Sequence, residues 1–513
     1  MSNLRKRAWV IALIVFVLAV PRGNGRASGQ ANPPAPVEKI VVDANAPSHP
    51  FPHFWEQMFG SGRATLSLRS AYRRDLKQVK AATGMEFVRF HGILDDDTGF
   101  YSVNGQGKPD YNFSYIDQIY DGLLKEGVRP FVELSFMPSQ LASTTQTQAF
   151  WYHPYVSPPK HWNLWAAMIT EFARHLVDRY GIDEVSQWYF EVWNEPNIDF
   201  WAGEPKQATY FHLYDVTARA LKSVSPQLRV GGPATAQAAW VSDFIRHGYE
   251  NKVPVDFVST HVYGNDSAKN VFGSSQRVSR RDMVAMAVKK AHDEVKASPM
   301  PDLPIIFSEY NASYMNEVDV TDSAFMGPWL ASTISRCDGL VNMMSYWTFS
   351  DVFEEQGIQQ TAFYGGFGLI AAGDIHKAAY NDFALLHKLG NQRLAVNSDF
   401  VIVTRRDDRS LAIALWNYAP PGASGPDKIF RLGFRNISGA HTAVEWVVDR
   451  DHGSPLSAWE AMGKPRFPSP GQLTILRQAG GMPAPSVVQL APGQQDLLIR
   501  LAPHALALVE IVK

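Results

Sequence analysis

The sequence predicts an α/β fold, a (β/α)8 barrel with an accessory C-terminal β-sandwich domain. Between residue 37 and about residue 350, short apolar or aromatic runs alternate with longer segments of helical spacing. Eight such runs follow a first short strand at 37–43, and eight is the number of strands that closes a parallel barrel. From about residue 399 the pattern changes to short strands between turns rich in proline and glycine. That second pattern is typical of a β-sandwich.

The eight predicted barrel strands are apolar almost throughout, as strands of a parallel sheet covered on both faces are. They span residues 54–58, 86–90, 130–134, 188–193, 228–231, 256–260, 304–308 and 341–346. The helical segments between them include 72–83, 115–126, 162–180, 209–223, 281–296 and 324–336. An open doubly wound sheet is the alternative, and the count of eight strands favours the barrel.

The barrel is predicted to span residues 46–390, and the sandwich domain residues 391–513. Runs at 400–405 and 411–416 flank five polar residues and predict a hairpin. Turns rich in proline and glycine are predicted at 420–426, 465–471, 480–485 and 492–493. Two further strands are expected between residues 498 and 512.

The N-terminal segment predicts export. Arg5, Lys6 and Arg7 precede an uninterrupted apolar run over residues 8–20, which ends at Pro21. Thirteen apolar residues are fewer than a bilayer span needs, and they fit the core of a signal peptide. We therefore expect a signal peptide over 1–27 and a proline-rich linker over 28–36. The protein would be periplasmic or secreted, without membrane association after cleavage; an uncleaved anchor is the alternative.

Composition and charge exclude several classes of partner. The 48 Lys and Arg nearly balance the 50 Asp and Glu, for a formal net charge of −2. This balance argues against nucleic acid or an anionic membrane as the main partner. The single cysteine, Cys337, permits neither an intramolecular disulfide nor a cysteine metal cluster, and we expect it to be buried and inert. Aromatic residues make up 12% of the chain, which suits a surface that stacks on flat apolar ligand faces.

Two glutamates end predicted barrel strands, where a barrel of this kind carries its active site. The fourth strand ends in Trp193-Asn194-Glu195-Pro196 and the seventh in Phe307-Ser308-Glu309-Tyr310. Two carboxyl groups that face one cleft can be held as one acid and one anion, the minimum equipment for breaking a glycosidic bond. We therefore predict that Glu195 and Glu309 are catalytic and that Asn194 meets a sugar hydroxyl. A cap or salt-bridge role is the alternative for each glutamate.

Other residues at predicted strand ends are candidates for ligand binding, with a structural role as the alternative. They are His91, His261, Tyr263 and Trp347, the last as an apolar floor for a sugar ring. The run Asp95-Asp96-Asp97 lacks the spacing of a calcium loop and is expected to be solvated. Gly365-Gly366-Phe367-Gly368 lacks the Lys-Ser/Thr that completes a phosphate loop.

Eight stretches between residues 50 and 390 match one known family in order and spacing. They are GSGRA at 60–64, VRFHGI at 88–93, PFVELSFMP at 130–138, WYFEVWNEPN at 188–197, GGPA at 231–234, VSTH at 258–261, SEYN at 308–311 and YWTFSD at 346–351. This part of the chain resembles glycoside hydrolase family 39, and most closely its bacterial β-xylosidases.

The resemblance implies a retaining mechanism with Glu195 as acid/base, Glu309 as nucleophile and Asn194 bonded to the 2-hydroxyl of the sugar. It also implies a sandwich domain to which residues 37–45 contribute an N-terminal strand. The positions that match the sugar subsite of the family are His91, His261, Tyr263, Trp347, Glu354 and Glu355, with Phe150 at the pocket rim.

The resemblance therefore implies an exo-acting β-D-xylosidase that releases xylose from xylo-oligosaccharides by double displacement. No metal or organic cofactor is predicted, and carbohydrate is the expected partner. An α-L-arabinosidase or α-L-iduronidase of the same family is the second reading. A barrel that binds carbohydrate without cleaving it is the third, and the presence of both carboxylates argues against it.

Overall fold

The computed structural model describes residues 37–437, 439, 441–491 and 496–512. Its strands are β1 Val37–Asp43, β2 Ser48–Pro50, β3 Met58–Gly60, β4 Phe87–Phe90, β5 Tyr101–Val103, β6 Pro109–Tyr111, β7 Arg129–Leu134, β8 Tyr189–Val192, β9 Arg229–Thr235, β10 Phe257–Tyr263, β11 Ile305–Asn311, β12 Met343–Tyr346, β13 Ile370–Ala371, β14 Ile375–His376, β15 Gln392–Leu394, β16 Val401–Arg405, β17 Leu411–Trp416, β18 Lys428–Arg435, β19 His441–Val448, β20 Ser486–Leu490, β21 Asp496–Leu501 and β22 Leu506–Val512.

The α-helices of the described residues are α1 Ser70–Ala82, α2 Ser114–Lys125, α3 Trp162–Tyr180, α4 Ile182–Val185, α5 Lys206–Val224, α6 Val241–Glu250, α7 Ala268–Phe272, α8 Arg280–Lys296, α9 Val318–Thr321, α10 Met326–Cys337, α11 Ala378–Leu386, α12 Leu456–Ala461 and α13 Pro470–Ala479. None of them combines the length and the apolar character needed to cross a bilayer. The predicted signal peptide (1–27), linker (28–36) and turn at 492–493 lie outside the described residues.

Eight parallel strands close into a barrel in the order β3-β4-β7-β8-β9-β10-β11-β12, which confirms the predicted (β/α)8 architecture. Seven predicted strands coincide with observed ones to within a few residues. The prediction at 54–58 is wrong, because the strand runs from Met58 to Gly60. Phe54 and Trp55 lie in the preceding turn, where they pack against Phe51 in the core. An apolar run that fills the core from a turn has the same composition as a buried strand.

The barrel interior has an apolar layer below and a polar layer above. Toward the amino ends of the strands it is filled by Met58, Phe87, Phe131, Phe257, Ile306 and Met343. Because alternate residues of a strand face the same side, the next interior position lies two residues further along. That position holds Arg89, Glu133, Glu191 and Ser308, each at most 1% exposed. The apolar layer closes the bottom of the barrel, so the interior is open to ligand only at the carboxyl ends of the strands.

The C-terminal part forms a β-sandwich of a seven-stranded and a three-stranded sheet. The orders are β2-β15-β16-β17-β22-β19-β20 and β1-β18-β21. Strand β1 pairs in parallel with β18 over its whole length, so the N-terminal strand lies in the sandwich. Strand β2 also belongs to the sandwich, because it pairs with β15. The sequence had assigned residues 46–50 to the barrel.

The central strands β16, β17 and β22 of the seven-stranded sheet are buried on both faces. On β17, Ile413 and Leu415 pack into the core of the sandwich, whereas Ala414 and Trp416 belong to the core shared with the barrel. This double burial explains why the strand reads as a continuous apolar run in the sequence. Strands β16 and β17 are antiparallel neighbours, which confirms the predicted hairpin.

Two C-terminal helices, α12 and α13, lie in the segment where only strands and turns were predicted. Helix α13 begins at Pro470, inside the predicted turn at 465–471. Ser469 caps it by accepting from the backbone of Gln472, whose side chain accepts from the backbone of Ser469. Such a capping box followed by proline at the first helical position is a sequence signal for a helix start.

Candidate active site

A cavity of about 410 Å³ opens at the carboxyl ends of the barrel strands. Eight of the ten predicted site residues line it: His91, Phe150, Asn194, Glu195, Tyr263, Glu309, Trp347 and Glu355. The remaining lining residues were not singled out from the sequence: Ile198, Phe200, Ala236, Gln237, Asp266, Tyr314, Gln356 and Phe367. Most of this second group lies in loops, where spacing along the chain carries no signal for convergence.

Glu309 reaches the cavity through an irregularity in strand β11. The register between β10 and β11 shifts between Thr260 and His261, so that Thr260 pairs with Phe307 and His261 with Glu309. The strand therefore carries one extra residue, and Ser308 and Glu309 both face the barrel interior. Bulges of this kind next to active sites re-aim side chains.

Both carboxylate oxygens of Glu309 accept hydrogen bonds. Nη1 of Arg89 donates to Oε1 at 2.7 Å, and the phenol of Tyr263 donates to Oε2 at 2.6 Å. One donor is a cation and both are nearly buried, which fixes the carboxylate in one orientation. The arrangement suits a group that reacts as an anion.

Glu195 lies on strained backbone directly after β8. Its φ is 44° and that of Trp193 is 73°, both in the left-handed region that non-glycine residues rarely adopt. The backbone N–H of Glu195 donates to the carbonyl of Ala234 at 2.8 Å, which helps to hold this turn. Its carboxyl Oε1 lies 3.0 Å from Nδ1 of His261.

The two glutamates have different environments although they are close together. An oxygen of Glu195 lies within 4.8 Å of an oxygen of Glu309. Burial, and then the negative charges of Glu309 and Asp266, raise the pKa of Glu195 well above its usual range. Retaining glycosidases have carboxyl groups about 5–5.5 Å apart and inverting ones about 6.5–9.5 Å. The short separation fits the spacing of a retaining pair, and the raised pKa of Glu195 fits the acid of such a pair.

Arg89 organises the polar layer beneath the cavity and was not among the predicted site residues. Its side chain is fully buried, and it precedes the predicted site residue His91 by two positions. The strand period of two could have indicated it, since Arg89 and His91 face the same side of β4. Its nitrogens lie 2.6 Å from Glu191 Oε2, 2.6 Å from Glu133 Oε2, 2.7 Å from Glu309 Oε1 and 2.9 Å from Asn194 Oδ1.

His91 and Trp347 form one wall of the cavity, with ring centroids 4.8 Å apart. Nδ1 of His91 lies 2.7 Å from Glu133 and Nε2 lies 3.4 Å from Glu355. Burial lowers the pKa of His91, but these carboxylates outweigh it and raise the pKa to about 10. Trp347 lies against Gly60, where a Cβ atom would come within 2.1 Å of Cε3 of the indole. Glycine is therefore required at that position of β3.

Asn194 and Phe150 occupy the places that their predicted roles require. The amide oxygen of Asn194 accepts from Arg89, so the amide nitrogen, a donor, is turned toward a ligand. Phe150 is half-buried and packs on Phe200, with ring centroids 5.1 Å apart. The two rings form an apolar edge of the cavity.

The structure corrects two of the predicted binding residues. His261 is fully buried behind Glu195 and does not line the cavity; it contacts the glutamate and Ser308. Glu354 points away from the cavity and forms ion pairs with Arg63 at 3.1 Å and Arg69 at 2.6 Å. Of the acidic pair, only Glu355 reaches the ligand space.

Asp95 and Cys337 are both buried. Asp96 and Asp97 are exposed as expected of a solvated loop, but Asp95 is only 6% exposed. Burial, with the negative charges of its two neighbours, raises the pKa of Asp95 to about 8. Cys337 is fully buried as expected, and burial raises the pKa of its thiol to about 12.

Within the described residues, two sets of three side chains bring potential metal ligands together. One is Glu195, His261 and Glu309; the other, away from the cavity, is His53, Glu56 and His387. In both sets the histidines already hydrogen-bond the carboxylates, at 2.5–3.0 Å. That the reaction needs no metal or organic cofactor stays a prediction.

Comparison with known proteins identifies the family. The model of the glycosyl hydrolases family 39 matches residues 38–487. The chain is 38% identical to a β-xylosidase of Geobacillus stearothermophilus over 481 residues, 91% of this chain and 95% of that protein. It is 34% identical to a β-xylosidase of Caldicellulosiruptor saccharolyticus over 488 residues, 93% and 98% of the two chains. A crystal structure of a monomeric β-xylosidase from Caulobacter crescentus CB15 matches with a TM-score of 0.85 and 33% identity, covering 92% and 99%. The chain therefore belongs to glycosyl hydrolase family 39.

Proposed function

We propose that this glycosidase is an exo-acting β-D-xylosidase, which releases xylose from xylo-oligosaccharides with retention of anomeric configuration. The observation that carries the proposal is the pair Glu195 and Glu309, with carboxyl oxygens within 4.8 Å in one cavity. The similarity to β-xylosidases over more than nine-tenths of the chain supports xylose as the sugar.

In the first step, a carboxylate oxygen of Glu309 attacks the anomeric carbon. The bond between that carbon and the leaving oxygen breaks, and the proton of Glu195 passes to the leaving oxygen. Burial and the charge of Glu309 raise the pKa of Glu195, which favours the protonated form that this step requires. Arg89 and Tyr263 hold Glu309 in place for the attack.

In the second step, water attacks the anomeric carbon of the glycosyl-enzyme. Glu195, now ionised, takes a proton from that water, and the bond to Glu309 breaks. The products are β-xylose and an enzyme with Glu195 protonated again. The amide nitrogen of Asn194 is placed to bond the 2-hydroxyl, a contact that tightens in an oxocarbenium-like transition state.

The charges of the cavity favour a neutral sugar over a uronic acid. Four carboxyl groups line it, those of Glu195, Asp266, Glu309 and Glu355. Among the described residues that line it there is no Lys or Arg side chain, and His91 is already paired with Glu133. A substrate carboxylate, as in an iduronide, would meet like charges without a free cation.

A panel of nitrophenyl glycosides tests the proposal. We expect cleavage of the β-D-xyloside, with much slower turnover of the α-L-arabinoside and α-L-iduronide. Proton NMR at early times should show β-xylose before mutarotation. Initial release of α-xylose would contradict retention, and a preference for another glycoside would contradict the xylose specificity.

A further inference from the structure

A buried chain of hydrogen bonds runs from the polar layer of the barrel to Glu195. Ser308 Oγ lies 2.6 Å from Glu191 Oε1 and 3.1 Å from His261 Nε2. His261 Nδ1 lies 3.0 Å from Glu195 Oε1. Glu191, Ser308 and His261 are all 0% exposed, and none of them lines the cavity. Besides this contact with Glu195, His261 Nδ1 lies 3.6 Å from Oε1 of Glu309, and Glu191 binds Arg89, which also binds Glu309.

The direction of each hydrogen bond follows from the number of protons available. The hydroxyl of Ser308 has one proton, and it donates that proton to Glu191. Its contact with His261 then requires Nε2 of the imidazole to be the donor. A neutral imidazole carries only one N–H, so Nδ1 is an acceptor. The remaining contact, from Nδ1 to Oε1 of Glu195, is a hydrogen bond only when that oxygen carries a proton.

This direction requires a neutral His261 and an ionised Glu191. Burial and the positive charges of Arg89 and His91 lower the pKa of His261 well below its usual range, so the imidazole is neutral. Nε of Arg89 can only donate, and it lies 2.6 Å from Oε2 of Glu191. That oxygen therefore accepts, so a proton on Glu191 could reside only on Oε1. Burial raises the pKa of Glu191 above its usual range although the Arg89 guanidinium opposes this, so the ionised form of Glu191 is part of the proposal.

We propose that Glu191, Ser308 and His261 are positioning residues that hold Glu195 in its protonated form through an Nδ1 acceptor. This inference rests on the proposed function for the role of Glu195. A hydrogen bond accepted from the neutral acid disfavours its ionisation, so the chain adds to the effect of burial. In this state the proton lies on Oε1, on the side of His261. The carboxyl group therefore has to rotate about its Cγ–Cδ bond before it can pass that proton to the leaving oxygen.

The bulge in β11 is what makes the chain possible. On a regular strand only one of two consecutive residues faces the barrel interior. The extra residue in β11 lets Ser308 reach Glu191 and His261 while Glu309 faces the cavity. The bulge in β11 thus places both Glu309, the nucleophile, and Ser308, which connects Glu191 to His261.

If the proton resided on Oε1 of Glu191, every bond of the chain would reverse. Ser308 would donate to Nε2, and Nδ1–H would donate to an ionised Glu195, the form that cannot act as an acid. The two directions therefore predict opposite tautomers of His261. The groups whose charges also act on Glu195 are Glu309, Asp266, His91 and Arg89.

The tautomer can be measured directly by ¹⁵N NMR of the full chain labelled at histidine, with a His261→Gln variant to assign the signals. We expect Nε2 protonated and Nδ1 unprotonated at neutral pH. An Nδ1–H tautomer or an imidazolium would overturn the proposal. This measurement needs no turnover and can be made even if the protein cleaves no xyloside. That outcome would contradict only the proposed function.

The Ser308→Ala variant tests the consequence for catalysis. Without its acceptor at Nε2, His261 is free to place the proton on Nδ1 and donate it to ionised Glu195. The alkaline limb of kcat/KM for xylobiose should then move to lower pH by about one unit, a tenfold change in proton affinity. An activated aryl xyloside, whose leaving group needs no proton, should show no such shift.

Ser345→Ala is the matched control. Ser345 is a fully buried serine that follows Met343 by two residues on β12, so it faces the same barrel interior. In the described part of the chain its hydroxyl has no hydrogen-bond partner. The alkaline limb of the kcat/KM profile of Ser345→Ala should match that of the wild type. The proposal would be overturned if the alkaline limb did not shift in Ser308→Ala, or if it shifted equally in both variants. If Ser308→Ala does not fold, the NMR measurement of the tautomer decides.

Discussion

The phenol oxygen of Tyr263 lies 2.6 Å from Oε2 of Glu309, across two neighbouring strands of the barrel. Tyr263 ends β10, and the register of β10 on β11 places Glu309 opposite His261, two residues earlier. The phenol therefore approaches the carboxylate from above, on the side of the cavity. The pairing of β10 with the bulged β11 thus brings one of the two donors to the nucleophile, the other being Arg89.

Replacing Tyr263 by Phe should slow the reaction without unfolding the protein. The variant loses one hydrogen bond to a charged group, about 1.5–3 kcal/mol, which corresponds to a roughly 10- to 100-fold lower kcat. Steady-state kinetics on nitrophenyl β-D-xyloside measure it. Tyr249→Phe, at an exposed tyrosine of α6, is the control and should match the wild type. An unchanged kcat in Tyr263→Phe would remove the phenol from the mechanism.

Replacing Glu195 by Ala should separate the two steps of the reaction. Substrates with good leaving groups need no acid in the first step, so the glycosyl-enzyme should form and accumulate. Azide, a small nucleophile that needs no base, should then restore turnover and give the β-xylosyl azide. The product is identified by NMR. If azide gave no rescue, or the α-azide formed, Glu195 would not be the acid/base of a retaining enzyme.

The stability of the protein should fall between neutral and alkaline pH because of His91. Its pKa is about 10 in the folded protein and about 6.5 in an unfolded chain. Between these values the folded state binds the extra proton, so the stabilisation present below about pH 6.5 is lost as the pH rises toward 10. Urea denaturation of the wild type and of His91→Gln measures the difference. A difference that does not change over this range would contradict a protonated His91.

A second buried ion cluster should be important for folding rather than for catalysis. Lys377 is fully buried and lies 2.6 Å from both Asp322 and Asp351. Lys377→Met leaves two buried carboxyl groups without their cation and should cost about 3–5 kcal/mol of the free energy of unfolding. Lys289→Met, at an exposed pair with Asp293, should cost less than about 1 kcal/mol. Thermal and urea denaturation compare the two, and equal costs would contradict the assignment.

The sequence was sufficient to predict the barrel, the sandwich and the two glutamates. Eight apolar runs at regular spacing determine a closed parallel barrel, and residues at the ends of its strands converge by symmetry. Glu195 and Glu309 follow from that geometry without any knowledge of side-chain contacts. The first strand was misplaced because Phe54 and Trp55 are apolar for a different reason, packing in a turn.

What the sequence could not show is which way individual side chains turn. Glu354 and Glu355 are neighbours with the same chemistry, yet only Glu355 faces the ligand space, because Arg63 and Arg69 bind the other. His261 was placed at the mouth by strand position, but its contact with Ser308 depends on a one-residue bulge. Such irregularities have no composition signal. Export of the protein stays a prediction.

Covalent trapping of the nucleophile tests the account most directly. A 2-deoxy-2-fluoro-β-D-xyloside with a good leaving group should form a stable glycosyl-enzyme, because the fluorine slows both steps while the activated leaving group keeps the first one faster. Mass spectrometry of the digested protein should locate the added sugar on the peptide that contains Glu309. A label on a different residue, or turnover that continues after Glu309→Ala, would contradict the central claim.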